Sequence, residues 1–379
     1  MSAKSKRILT THVGNLPFVS APLQPGATEA DLSAAVAEVV EKQIELGIDL
    51  INEGEYTKGG DWLAFANERM SGFQERPPLA TDKRLTSLGR DREVFAAFYA
   101  YAEARGSLYF SAGAQIHQRR PKLICVAPIA YCGQAAVERQ IRLLKSNVAP
   151  GASVFMTSTA PASLEVYRPN EFYKSEEEYI FALAEALREE YLAIVNAGIT
   201  LQIDDAWLPA LWDRIGMSMG LEAFKKRCAL RIEALNHAIR GIPEERIRYH
   251  MCWGSWHGPH AYDLELKHLV DLLLNVKAGA YLIEGANARH EHEWEVWQDV
   301  KVPQGRKLAP GVVSHSTDVI EHPRLVAQRI ERYARIVGPE NVIASTDCGF
   351  GGRTHPQIAW AKLEALAHGA ALASERLCK

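Results

Sequence analysis

Nine short β-like runs, most of them separated by longer helical patterns, constrain this chain more than any other property. ILTTHVG (8–14) is followed by the helix-like AVAEVVEKQIELG, then by DLINEGE (49–55), KLICVAP (122–128) and SVFMTS (153–158). An amphipathic helix is expected from about 174 to 197, closed by Gly198. TLQIDD (200–205), RIRYHMC (246–252), AYLIEG (280–285), LAPGVVS (308–314) and NVIASTD (341–347) complete the series. Parallel strands need crossover connections, so such alternation predicts a parallel sheet wrapped by helices. Nine runs exceed a closed eight-stranded barrel by one, and KLICVAP, in the least regular part of the chain, is expected to lie outside it. The prediction is one α/β domain over 1–379, a (β/α)8 or TIM barrel, with an irregular insertion around 56–121. An open doubly wound sheet is the competitor, but no GxGxxG follows the first run to support a dinucleotide site.

Polar residues cluster where these runs end. They are His12 and Asn15, Glu53 and Glu55, Asp204 and Asp205, His250 and Cys252, Glu284, His315, and Asp347 with Cys348. Active sites of (β/α)8 barrels are assembled at the C-terminal ends of their strands, so these side chains are expected to converge on one mouth. In a strand, residues two apart share a face, so His250 and Cys252 project together as two potential metal ligands. Alone, this HxC reads more readily as a buried cysteine beside an incidental histidine, so the pair matters only with partners. Imidazole and thiolate suit zinc, which takes three or four protein ligands. Cys348, followed by glycines in STDCGFGGR, and Glu284, at the end of AYLIEG, would supply the others.

Composition narrows the partners. With 43 Lys and Arg against 46 Asp and Glu, the net charge of -3 and scattered basic residues argue against nucleic acid. No apolar run is long enough for a signal peptide or a membrane span, so a cytoplasmic protein is expected. Six spread cysteines do not form a disulfide framework, which leaves thiols for metal. Cys125, Cys228 and Cys378 read as core or terminal residues.

The HMC, IEG and DCG segments resemble the zinc motifs of the catalytic C-terminal domain of cobalamin-independent methionine synthases and their short single-domain relatives. TTHVGNLP resembles the family's thiol-substrate loop, INEGE its carboxylate strand, LQIDDA its QIDE-like strand, and PGVVSHS the strand carrying a histidine near the reaction centre. The resemblance implies His250, Cys252, Glu284 and Cys348 as Zn2+ ligands, with Glu284 able to detach. It implies a zinc-dependent S-alkyltransferase that moves a methyl group to a homocysteine-type thiolate, as in methionine biosynthesis. The chain departs from the family in two ways. Full-length methionine synthases add an N-terminal barrel that helps hold polyglutamylated folate, and the segment where they place a pterin-stacking Trp reads VFMTSTAPAS here. Folate as donor is therefore in doubt, and the alternative is the epoxyalkane:coenzyme M transferase reaction of similar-sized relatives, in which a zinc-bound thiolate opens an epoxide. A purely structural zinc site is the third reading, disfavoured because closed structural sites use Cys and His throughout.

Roles follow from chemistry. A free thiol is mostly protonated at neutral pH and zinc removes that proton, so the metal's open position is expected to take a small-molecule thiol, with an alkyl donor as second partner. Asp204 and Glu55 would orient the thiol's cationic group, whereas Asp205 reads equally as a structural acid and Glu53 as a salt-bridging one. His315 would act as general acid, and His12 and Asn15 would bind the substrate's acidic end. Trp253, with Trp256, Trp294 and Trp297, would wall the pocket, and Arg353 would pair with a carboxylate or sulfonate. His257, His260, His290 and His292 could form a second metal site, but read more simply as loop hydrogen-bonders. A homo-oligomer is possible on this reading.

Overall fold

Thr28 starts the first helix, Glu29–Glu45, with a capping box: its hydroxyl accepts from the Asp31 amide at 3.2 Å, and its own amide donates to the Asp31 carboxylate at 2.8 Å. Leu32, Val36, Val39, Val40 and Gln43 line its buried stripe. The long helix Glu176–Asn196 is capped by Ser175 and has three glutamates in its first turn, where the helix dipole favours negative charge. It ends before Gly198, whose φ of +84° lets the chain turn into the next strand. The computed structural model describes residues 7–24, 26–59, 64–77, 89–107 and 123–378.

Between the helices runs a seven-stranded parallel sheet. In chain order its strands are β1 (Leu9–Thr10), β4 (Phe155–Thr159), β5 (Thr200–Asp205), β6 (Ile247–Met251), β7 (Ala280–Ile283), β8 (Lys307–Val313) and β9 (Ile343–Thr346); β2 (Phe73–Glu75) and β3 (Leu123–Cys125) lie elsewhere. The spatial order is β1-β9-β8-β7-β6-β5-β4. DLINEGE supplies the eighth position as a single parallel bridge between Ile51 and Val154. Its backbone also reaches the other edge, since the Leu50 amide donates to the Thr10 carbonyl at 3.1 Å and the Ile51 amide to Ser153 at 3.1 Å. The sheet is thereby curled into a barrel.

Two differences from the sequence reading have local causes. KLICVAP contributes β3, which pairs antiparallel with β2 outside the barrel, as expected; its Lys122 and much of the predicted 56–121 insertion lie outside the described residues. DLINEGE, expected to be a full strand, is only a bridge. Gly54 and Glu55 both adopt left-handed backbone, with φ of 69° and 63°, and turn the chain out of the sheet. A buried cluster fastens the segment after this turn: Arg69 bonds Glu190 at 2.8 Å and Gln140 at 2.6 Å, while Ser158 and Tyr131 also donate to Glu190.

Candidate active site and metal centre

Strand register brings the first ligands together. Asp204 of β5 lies directly opposite His250 of β6, and both side chains project into the barrel. His250 Nδ1 donates to Asp204 Oδ1 at 3.0 Å, which leaves Nε2 available to a metal. Nε2 is buried without a hydrogen-bond partner, a costly state for a ring nitrogen unless a ligand lies there. Burial opposes a charge on this ring, but the Asp204 carboxylate outweighs it and raises His250 above the ordinary imidazole range.

Cys252 follows β6, and Cys348 follows β9. Their sulfurs are 3.7 Å apart, and with His250 they place one donor atom each within 4.8 Å of the others. The hydrogen bond from Cys252 lowers Cys348 to about 5, helped by the charges of Arg353 and His250, while the same bond pushes Cys252 up. An unpartnered imidazole nitrogen beside two close sulfurs fits a tetrahedral zinc ion, and these three residues are the only such donor group among the described residues. The glycines after Cys348 are there for close approach: a Cβ on Gly349 would lie 2.8 Å from Asn15 Cβ and 3.2 Å from the Asn15 carbonyl. Asn15 binds this loop through its backbone, accepting from the Phe350 amide at 2.8 Å.

Glu284 stands apart from the three donors. Its carboxylate accepts from the Trp253 amide at 3.0 Å and from Asn287 at 2.7 Å, and burial raises it to about 7 against the opposing charge of His290. Asp347 holds the same turn by accepting from the Gly285 and Ala286 amides.

Across the mouth, β5 alternation separates the acid pair. Asp204 faces inward. Its Oδ1 also accepts from Gln202, while Oδ2 makes no hydrogen bond among the described residues. Asp205 faces the helices, where it accepts from Ser163 and Tyr249, each at 2.9 Å. Glu55 accepts from the Thr157 hydroxyl at 2.5 Å and lies 3.6 Å from Lys58. Burial raises Glu55, and it raises Glu53, whose two oxygens have no hydrogen-bond partner among the described residues, to about 7.

Three expected substrate contacts have other work. His12 is buried with both ring nitrogens used, Nε2 with Gln43 at 2.7 Å and Nδ1 accepting from the Gly14 amide at 3.1 Å, so its ring shapes the first loop. Trp253 packs into the core, donating to the Leu264 carbonyl at 2.7 Å with its ring 4.4 Å from that of His290, and Trp297 is also core. His260 and His290 share Asp263 and make hydrogen bonds, as the simpler reading held. His315 is 97% buried by its 3% exposure, and its Nδ1 is unpartnered. Burial and the charges of Arg353 and His257 depress it well below ordinary imidazole, so it offers a hydrogen bond and stores no proton at neutral pH. Sequence reasoning missed Arg248, a buried cation inside β6 whose guanidinium lies over the Phe155 ring and donates to Thr11 and His12. Its inward register, two residues before His250, was the available signal.

The fold and these side chains define an α/β barrel with a cysteine and histidine donor group at its mouth. The family described as "Cobalamin-independent synthase, Catalytic domain" matches residues 165–371, more than half of the chain. The chain belongs to that family. It is 24% identical over 344 residues to a methionine synthase of Saccharolobus solfataricus, covering 90% of this chain and 84% of that protein. A methionine synthase of Thermococcus kodakarensis is also 24% identical, over 74% of this chain and 72% of its own. Among solved structures, a B12-independent methionine synthase from Shewanella sp. W3-18-1, in complex with selenomethionine, shares the fold with a TM-score of 0.72 at 19% identity, covering 98% of this chain and 99% of the other. Among the described residues, no helix is long and apolar enough to cross a membrane.

Proposed function

We propose that this protein is a zinc-dependent S-methyltransferase acting on a homocysteine-type thiol. The observation that carries the reading is the buried His250, Cys252 and Cys348 group, whose donor atoms lie within 4.8 Å of one another, with His250 Nε2 making no hydrogen bond among the described residues. Zinc held there, with Glu284 as a further, exchangeable ligand, would supply the Lewis acidity that keeps a substrate sulfur deprotonated at neutral pH.

The chain's own residues do the remainder. Asp204 Oδ1 sets the His250 tautomer, and Oδ2 with Glu55 presents negative charge to the substrate's ammonium group. That acidic side supports an amino-acid thiol over coenzyme M, which has no amine and belongs to the epoxide-opening alternative. His315 places a neutral hydrogen-bond donor where negative charge grows on a leaving group. The surrounding burial excludes water from the sulfur.

Metal analysis of the wild type and of Cys252→Ser and Cys348→Ser tests the reading first. Near-stoichiometric zinc in the wild type, lost in both variants, is the expected result, and unchanged zinc content would refute the site. Calorimetric titration of the zinc-loaded protein with homocysteine and with coenzyme M then chooses the thiol, with heats compared in buffers of different ionisation enthalpy to count released protons.

A further inference from the structure

We propose that Tyr99 and Trp256 are positioning residues for the donor group: the Trp256 indole, anchored on the insertion by Tyr99, holds the Gly254 N–H on Cys252 Sγ. The inference goes beyond the proposed function and rests on its metal centre. Three consecutive residues after Cys252 reach that centre and its surroundings. The Trp253 amide donates to Glu284 Oε1 at 3.0 Å, the Gly254 amide donates to Cys252 Sγ at 3.2 Å, and the Ser255 hydroxyl accepts from Arg353 Nε. Trp256, the next residue, is where this loop meets the insertion.

Gly254 has left-handed backbone, with φ of 96°, and the Trp256 ring lies directly against it. A Cβ at Gly254 would stand 2.1 Å from Trp256 Cζ3 and 2.8 Å from Cε3. The ring therefore blocks the way by which this peptide would turn off the sulfur. It is itself fixed by several contacts. Nε1 donates to the Tyr99 hydroxyl at 3.0 Å, and that hydroxyl donates to Asp91 Oδ2 at 2.6 Å. The other Asp91 oxygen accepts from the Ala261 amide at 3.0 Å, so the same carboxylate also grips the loop farther along. Tyr99 is buried on the helix Ala96–Arg105. The His260 ring stacks on the indole with centroids 4.1 Å apart, and its Nε2 meets the Trp256 carbonyl at 3.0 Å.

This anchoring has a chemical consequence. An N–H donor on a metal-binding sulfur withdraws charge from it, and such bonds tune metal–sulfur centres. Partners that act through a ligand in this way change metal affinity by about 10- to 100-fold. Packing alone would ask only for an apolar ring on Gly254. An indole N–H committed to a buried hydroxyl fixes the ring's orientation as well, and with it the direction of the Gly254 amide.

The test uses Tyr99→Phe, which removes one oxygen, and Trp256→Ala, which removes the ring. In the metal-free protein, NMR of labelled glycine should show faster exchange of the Gly254 amide in both variants, most of all in Trp256→Ala. In the cobalt(II)-substituted protein the sulfur-to-cobalt charge-transfer band should move to longer wavelength, because a sulfur relieved of its N–H donor gives up charge more readily. Chelator competition should show zinc binding about tenfold weaker in Trp256→Ala. Lost packing by itself lowers the urea midpoint and leaves the band in place. Folded variants with an unshifted band therefore overturn the positioning role, whatever the amide does, and the proposed function stands. If Trp256→Ala does not fold, Tyr99→Phe decides by the same band. A wild-type protein that takes up neither zinc nor cobalt overturns the proposed function and the positioning role together.

Discussion

Replacing Asp204 should weaken zinc binding without removing any ligand. The carboxylate lies opposite His250 in the β5–β6 register and receives the Nδ1 proton at 3.0 Å, so it fixes which nitrogen coordinates and how the ring points. Partners of this kind change metal affinity by about 10- to 100-fold, or about 1.4–2.8 kcal/mol. Asp204→Asn keeps the size, and its Oδ1 can still accept from both Nδ1 and Gln202, but it loses the charge, so about tenfold is expected. Asp204→Ala loses both and should approach the upper limit. Competition for zinc against a chromophoric chelator gives the affinities, and far-UV circular dichroism confirms that each variant is folded. If folded Asn and Ala variants both bind zinc within about twofold of wild type, the orienting role is wrong.

Gly349→Ala should cost about 1–3 kcal/mol, because the new methyl meets the Cβ and carbonyl of Asn15 and not a movable chain end; an unchanged midpoint in urea would contradict it. His12 gives a pH signature, since burial lowers it to about 3. An unfolded chain gains this proton below about pH 6.5 and the folded one does not, so wild-type stability should fall on acidification through that window, by at most about 1.4 kcal/mol per pH unit. His12→Gln carries no such proton, and urea unfolding between about pH 6 and 4 should show a shallower decline; parallel curves would exclude His12 as the cause.

Periodicity made the barrel readable, because β5 and β6 are alternating runs whose pleat decides which residues face inward. That alternation separates Asp204 from Asp205 and puts His250 and Cys252 on one side. Cys348 was legible from its glycines, although the reason for them, the approach of Asn15, lies more than 300 residues away in the chain. The partners of the His12 ring were hidden for the same reason. Its partner Gln43 sits on the helix Glu29–Glu45, and no local pattern shows that a strand-end histidine is already satisfied by a neighbouring helix. Trp253 follows a strand end directly and looked like a pocket wall, but Leu264 supplies a buried acceptor for its indole N–H. Glu284 was expected among the donors; its carboxylate is bonded by the Trp253 amide and Asn287, and it is not one of the three residues whose donor atoms cluster within 4.8 Å.

The single bridge at Ile51 gives the cylinder a seam. His250, Cys252 and Cys348 follow or sit on strands laddered to neighbours on both sides, whereas Glu53 and Glu55 are suspended from a few backbone bonds between Thr10 and Phe155. Amide exchange should be fastest along that wall and slowest in β5, β6 and β9. One half of the mouth is thus braced on both sides by strand ladders, and the other hangs from a seam that should yield first when the barrel is strained.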